Sequence, residues 1–273
     1  IECTTYSCSD YLNDNGWDGE GSSGCNIDGN SINTYMSNRS GGNKITPADR
    51  MKIVDWCYSI VDQCQLEREI VAIAMDIVDR FMSTITSTSP RSHEIFRDRC
   101  HYQLVVVAAL YISIKVNERL AFGSKDFATI SHGMYSVEDI EDMEWSILQG
   151  LSWRLCSPTS LQVGHQILSL MLPQIFAGTT TLEQGTWDFI KEMLAFQTEI
   201  SVRDYYFTTR RSSTIATAAI MNAIEQVNDR DCELLMMALL HDVLKEFDFD
   251  SPLVLRDARD QLHRFINENE EID

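Results

Sequence analysis

The chain is short of proline, with five in 273 residues. It has no basic block, and no segment alternates apolar and polar residues over the length of a strand. Few prolines and no period-two pattern leave helices as the building material. The missing basic block argues against a surface that tracks a phosphate backbone. Lys and Arg number 22 against 41 Asp and Glu, a formal charge of −19, so nucleic acid is not expected as a partner and a basic protein surface is.

Other absences narrow the chemistry. There is no signal-peptide hydrophobic region, and the apolar run from Leu104 to Ile114 is shorter than a membrane span, so no membrane association is expected. The six His are scattered, and there is no glycine-rich phosphate loop, no HExxH and no GxSxG. No catalytic residue and no cofactor are assigned. Cys3, Cys8 and Cys25 lack CxxC spacing, so no metal is expected either. Cys57, Cys64, Cys100, Cys156 and Cys232 sit among helix-patterned apolar residues, which points to reduced, buried thiols in an intracellular protein of nucleus or cytoplasm.

What the chain does have is one long apolar stretch, YQLVVVAALYISIKVNE, from Tyr102 to Glu118. It reads as the central helix of an all-α module. Around it, residues 1–45 are rich in Gly, Asn, Ser and Asp and read as an irregular leader, with a short helix over Ile32 to Asn38. Thr46-Pro47 is a helix start, followed by Ile53, Cys57, Ile60, Val61 and Cys64 at helical spacing. A second helix is expected from Glu67 to Met82, then a long polar loop over 83–99. Shorter helices follow at Lys125 to Ser131 and at Ser136 to Leu151, the latter opened by a capping-box pair, Ser136 and Asp139.

That set of five is then restated. Ser157-Pro158 repeats Thr46-Pro47 at an offset of 157 − 46 = 111, and Ala218-Ala219 repeats Ala108-Ala109 at 218 − 108 = 110. Two landmarks agreeing to one residue predict a tandem repeat. The second copy is expected as helices at Thr159 to Ile175, Thr186 to Ser201, Arg211 to Val227, Asp231 to Phe247 and Ser251 to Glu270. The expected domains are 46–156 and 157–273, each with its small-residue third helix as the buried axis.

Four charges fall on apolar stripes. Arg50 lies on the inner stripe of the first helix and Asp79 on that of the second, and two facing opposite charges pair rather than stand isolated. Lys115 continues the stripe of Leu104, Ala108 and Tyr111, and Glu144 stands between Ile140 and Ile147. These two form either a second internal bridge or a donor and an acceptor offered to a partner's backbone. At an offset of 110 they fall on Glu225 and Val254, so the second copy does without the pair, which favours the partner reading.

The segments RMKIVDW (50–56), VDRFM (78–82), YQLVVVAALYISIKVNE (102–118), YSVEDIEDMEWSIL (135–148) and LSWRLCSPT (151–159) resemble, in order, the landmarks of a cyclin box. The resemblance covers Ile32 to Thr159. It implies a regulatory subunit, not itself an enzyme, that binds and activates a cyclin-dependent serine/threonine kinase in cell-cycle control. It also implies that Lys115 and Glu144 contact the kinase's regulatory helix, that Val116 and Trp153 are apolar interface positions, that Arg50 pairs with Asp79, and that Leu104 is a core residue. Kinase substrates or inhibitors would be further partners. The family's substrate-docking patch would fall on Asp49, Lys52, Ile53, Trp56 and Gln103, with two apolar positions replaced by charges. Three competing readings keep a helical fold: a DNA-binding transcription factor of the same superfamily, against which the charge argues, a transcription-type cyclin, and a helical scaffold without a kinase.

Overall fold

The computed structural model describes residue 8 and residues 45–88, 98–118, 122–177, 184–227, 229–246 and 250–270. The expected leader helix at Ile32 to Asn38, and Cys3 and Cys25, lie outside them. The described residues form ten α-helices and a 3-10 helix: α1 (Pro47–Gln63), α2 (Glu69–Thr88), α3 (Arg99–Asn117), α4 (Ser124–Ile130), α5 (Val137–Gly150), α6 (Ser160–Ala177), α7 (Gln184–Arg203), the 3-10 helix (Tyr205–Thr209), α8 (Ser212–Glu225), α9 (Arg230–Lys245) and α10 (Pro252–Glu270). The all-α expectation holds, with five helices on either side of residue 157.

The helix starts follow local chemistry. Thr46 caps α1 in a reciprocal box with Asp49, its hydroxyl accepting from the Asp49 amide while the Asp49 carboxylate accepts from the Thr46 amide at 2.9 Å. Ser136 and Asp139 form the same box on α5. The repeat of the start signal is displaced, however. The hydroxyl that accepts from the first turn of α6 is Thr159, not Ser157, and Ser157-Pro158 lies in the connection before it. The true offset between first caps is therefore 159 − 46 = 113, while the alanine pairs keep 110. Gly133 turns the chain between α4 and α5 at a φ of +72°, a conformation a side chain disfavours.

Two boundaries also differ from expectation. α2 continues to Thr88, through the serines and threonines read as loop, because Thr84 returns its hydroxyl to the Arg80 carbonyl at 2.9 Å instead of leaving the helix. α3 begins three residues before Tyr102, where Asp98 accepts from the Cys100 amide at 3.1 Å. At 19 residues α3 is long and apolar enough to cross a membrane by length and hydropathy, a correction to the shorter apolar run. Yet 61% of that stretch is buried inside this fold, against the other helices of its half.

Alanines decide the packing. Ala108, Ala109, Ala218 and Ala219 are fully buried, and their small side chains let neighbouring helices close on α3 and on α8. Each of these axes touches the four other helices of its half. One core gathers around Val106, Leu110, Ile112 and Ile140, the other around Met171, Ile220, Leu240 and Leu262. Tyr205, from beyond residue 157, packs into the first core. Of the described cysteines only Cys57 is fully buried, where burial pushes its thiol pKa up, and Cys156 is exposed rather than buried.

Gly164 on α6 packs tightly against Leu194 of α7. A Cβ there would lie 2.7 Å from both methyl carbons of the buried Leu194. Gly164→Ala is expected to destabilise, because overpacking costs about 1–3 kcal/mol against about 1 kcal/mol gained in helix propensity. Gly185→Ala, at a position with open space, is the control. Thermal melting checks this, and an equal or higher Tm for Gly164→Ala contradicts it.

Candidate functional site

Two charged pairs organise the first half, and burial separates them. Arg50 lies on the buried face of α1 with Val54, Cys57 and Val61, and Asp79 on that of α2 with Met75, Val78 and Met82. Arg50 Nη2 donates to Asp79 Oδ2 at 2.7 Å with both side chains out of water. Its Nη1 donates to the carbonyl of Val202 at the end of α7. The pair therefore ties α1 and α2 to the other half of the molecule as well as to each other.

Lys115 and Glu144 meet at the surface. Lys115 Nζ donates to Glu144 Oε1 at 2.9 Å, joining the last turn of α3 to the middle of α5. The lysine side chain is 52% exposed and the glutamate 14%. The Glu144 carboxylate holds the Lys115 ammonium above its ordinary pKa, and the ammonium also lies 5.1 Å from the centre of the Tyr111 ring. The residues bond each other, as the internal-bridge reading expects, while the lysine still faces water. Lysine keeps further donors and the carboxylate a second oxygen, so the pair can receive a backbone carbonyl and amide without being dismantled.

The surroundings are apolar and open. Val116, next to Lys115, is half exposed, and Trp153 is 62% exposed. Trp153 stands out because α5 ends there in two left-handed residues, Ser152 (φ 51°) and Trp153 (φ 62°). Its amide donates to the Leu148 carbonyl at 2.8 Å, which pins the turn and aims the indole outward. Trp145, adjacent to Glu144 and 54% exposed, meets Trp153 edge to face, with ring centres 5.9 Å apart and planes at 81°. Trp145 escapes a search along apolar stripes. It lies between Met143 and Ile147 but off their buried face, and that off-stripe tryptophan is the signal.

The positions of the substrate-docking patch share one face of α1 and the start of α3. Asp49, Lys52, Ile53, Trp56 and Gln103 are all half-buried, with Ile53 and Trp56 against the core. Asp49 is committed twice, to the cap of α1 and to Arg99, whose Nη2 donates to it at 3.1 Å. The charge at this position serves as a bracket between α1 and α3.

The seam between the halves is built from residues the sequence patterns do not reveal. Two guanidiniums approach the Tyr58 ring, Arg68 at 4.5 Å and Arg203 at 5.1 Å from its centre. Arg68 pairs with Asp62 and Glu199, and Arg203 with Asp55 at 2.6 Å. Beside them is a cavity of about 470 Å³ lined by residues of both halves, among them Glu69, Asp76, Ser157, Thr198 and Arg210. These partners are far apart in the chain, which is why no periodicity points to them. Among the described residues, no group of three or more His, Cys, Asp and Glu is placed to hold a metal. An Arg-x-x-Leu spacing occurs at Arg259 to Leu262. There Leu262 is fully buried and Arg259 is bound to Asn222 and Glu225.

Comparison with known proteins follows this geometry. Residues 29–156 match the family described as cyclin, N-terminal domain, within three residues at each end of the segment singled out by its motifs. G2/mitotic-specific cyclin-B2 of Oryzias latipes is 29% identical over 180 residues, 66% of this chain and 40% of that protein. G2/mitotic-specific cyclin-B of Drosophila melanogaster is 25% identical over 194 residues, 71% of this chain and 32% of that protein. The chain thus spans well under half the length of these relatives. In fold it is similar to a viral cyclin from herpesvirus saimiri, with a TM-score of 0.57 at 12% identity over 81% of this chain and 87% of the other. It is also similar to a chain of the CAK complex of Chaetomium thermophilum bound to ATP-gamma-S, with a TM-score of 0.53 at 18% identity over 86% of this chain and 70% of the other. The ordered motifs and these matches mark residues 29–156 as a cyclin N-terminal domain, and the ten helices of the described residues share the fold of known cyclins.

Proposed function

We propose that this chain is the regulatory subunit of a cyclin-dependent serine/threonine kinase acting in cell-cycle control in the nucleus or cytoplasm, and that it activates the kinase by docking rather than by chemistry of its own. The observation that carries this is the Lys115–Glu144 pair at the surface, with its lysine half exposed and with Val116 and Trp153 exposed at the ends of the same two helices. A fold requirement alone would bury such a pair or replace it, as Arg50 and Asp79 are buried. The B-type relatives, named as G2/mitotic-specific, support the cell-cycle reading over a transcription-type one. On this reading the kinase's regulatory helix lies across the ends of α3 and α5. The contact shifts the kinase toward the state in which its catalytic lysine–glutamate pair is formed.

The test is co-purification of the chain with a panel of cyclin-dependent kinase subunits, with histone phosphorylation as the readout. Capture of at least one kinase together with a rise in its activity is expected. A folded chain that captures none overturns the proposal. A basic-hydrophobic docking peptide is expected to bind the complex weakly, because Asp49 is occupied by Arg99 and Lys52 adds like charge. Fluorescence anisotropy with a labelled peptide checks this, and tight, saturable binding contradicts it.

A further inference from the structure

Beyond the pair that anchors the docking reading, the same end of the molecule holds two large aromatic side chains in water. Trp145 and Trp153 are each more than half exposed, yet they are ordered against each other in an edge-to-face contact. Trp153 is fixed in a left-handed turn hydrogen-bonded to α5, a conformation that disfavours any side chain. An arrangement that leaves this much indole surface in water makes sense where a partner covers it, since tryptophan is enriched among interface hot spots.

The chemistry of the occupant follows from the face around the pair. Glu138, Glu141 and Asp142 precede Trp145 by seven, four and three residues, so all three share its side of α5, and all are exposed. Asp139 and Glu144 bring the segment to five carboxylates, against Arg154 within it and Lys115 paired to it. A strongly negative rim around two open indole faces is complementary to a cation. A guanidinium or ammonium is drawn in by the carboxylates and then rests on the tryptophan π-surface. A hydrophobic occupant would gain nothing from the acidic rim, and an acidic one would be repelled.

We infer that the Trp145–Trp153 pair, rimmed by the acidic face of α5, is a specificity pocket for an arginine or lysine side chain on the kinase subunit. This rests on the kinase reading and names a feature the bound kinase must carry. Trp145 would thus select among kinases that all satisfy the Lys115–Glu144 contact.

The experiment measures binding of the wild-type chain and three variants, Trp145→Ala, Trp145→Phe and the double reversal Glu138→Lys with Asp142→Lys, to the kinase subunit that the wild type captures. Circular dichroism and melting verify that each variant is folded, and all changes are at exposed side chains. Trp145→Ala is expected to weaken affinity by about 10-fold or more, as an interface hot spot does. Trp145→Phe should retain most of the affinity, because an aromatic face remains. The double reversal should slow association and flatten its dependence on salt. Binding by Trp145→Ala within twofold of wild type, or a double reversal with unchanged association rate and salt dependence, overturns the pocket and leaves the kinase reading standing. Failure of the wild type to capture any kinase overturns both. Replacing the cationic residue of the captured kinase that lies nearest Trp145 in a structure of the complex should reproduce the loss, and finding no cation there also refutes the pocket.

Discussion

Replacing Lys115 and Glu144 together by alanine is expected to abolish kinase capture while leaving the melting temperature where it was. The two halves of that result have separate physical causes. In the free chain the pair lies at the surface, with the lysine side chain half in water, and an exposed ion pair of this kind contributes about 0–1 kcal/mol. Little stability is lost with it. On the proposed docking, the same groups would become desolvated contacts of the interface, where truncating a hot-spot residue costs about 2 kcal/mol or more. Two such losses amount to roughly 100-fold to 1000-fold in affinity. Surface binding kinetics together with a melting curve read both halves. Binding within a few-fold of wild type removes the pair from the interface, and a large drop in Tm makes it a structural brace instead. Either single substitution is expected to cost roughly 10-fold to 30-fold, about half of the double's loss in free energy.

The opposite pattern is expected for Arg50→Ala. Arg50 and Asp79 are both buried, at 2.7 Å, so removing the arginine takes the cationic partner away from a buried carboxylate. Breaking a buried pair from one side costs about 3–5 kcal/mol. The substitution also releases the Val202 carbonyl, which Arg50 holds from across the seam, so the halves are loosened as well. For a chain of this size the loss corresponds to a fall in Tm of roughly 10 °C. The compensated double variant Arg50→Met with Asp79→Leu should recover much of it, because the buried charge is gone. A normal melting point for Arg50→Ala would refute the brace. Kinase capture by the folded fraction, measured well below the transition, should persist, which separates this pair from Lys115 and Glu144 by function as well as by burial.

The contrast between these pairs shows how far sequence periodicity reaches. The spacing of Arg50 from Ile53, Val54 and Cys57, and of Asp79 from Met75 and Met82, places two opposite charges on inward stripes of adjacent helices. A low-dielectric interior leaves such charges little choice but each other. Lys115 and Glu144 have the same signature on paper, since each continues an apolar stripe. Their exposure is set by where their helices end and how α3 crosses α5, which is not a local property. Trp145 shows the complementary blind spot. Its position off the stripe says that it is exposed, but only the left-handed turn at Ser152 and Trp153 brings the second indole back beside it. The same holds for Ser157-Pro158. Its resemblance to Thr46-Pro47 is real as chemistry, yet Thr159 takes the capping role, donating its hydroxyl to Glu69 while accepting from the Gln162 amide.

By itself, then, the sequence determined the all-α class, the ten helices and their approximate bounds, and the two alanine-paired axes. Each depends on residues within a few turns of one another: a 3.6-residue apolar rhythm, caps at Thr46 and Ser136, and small side chains where helices must close. The tertiary structure alone decided which charged pair is buried and which lies at the surface. It also decided how Arg50, Tyr58, Arg68 and Glu199 lock the seam, and that two exposed tryptophans meet edge to face. Those outcomes depend on distances between helices far apart in the chain. Packing sets those distances through the sum of many small contacts, and no single stretch of sequence contains that sum.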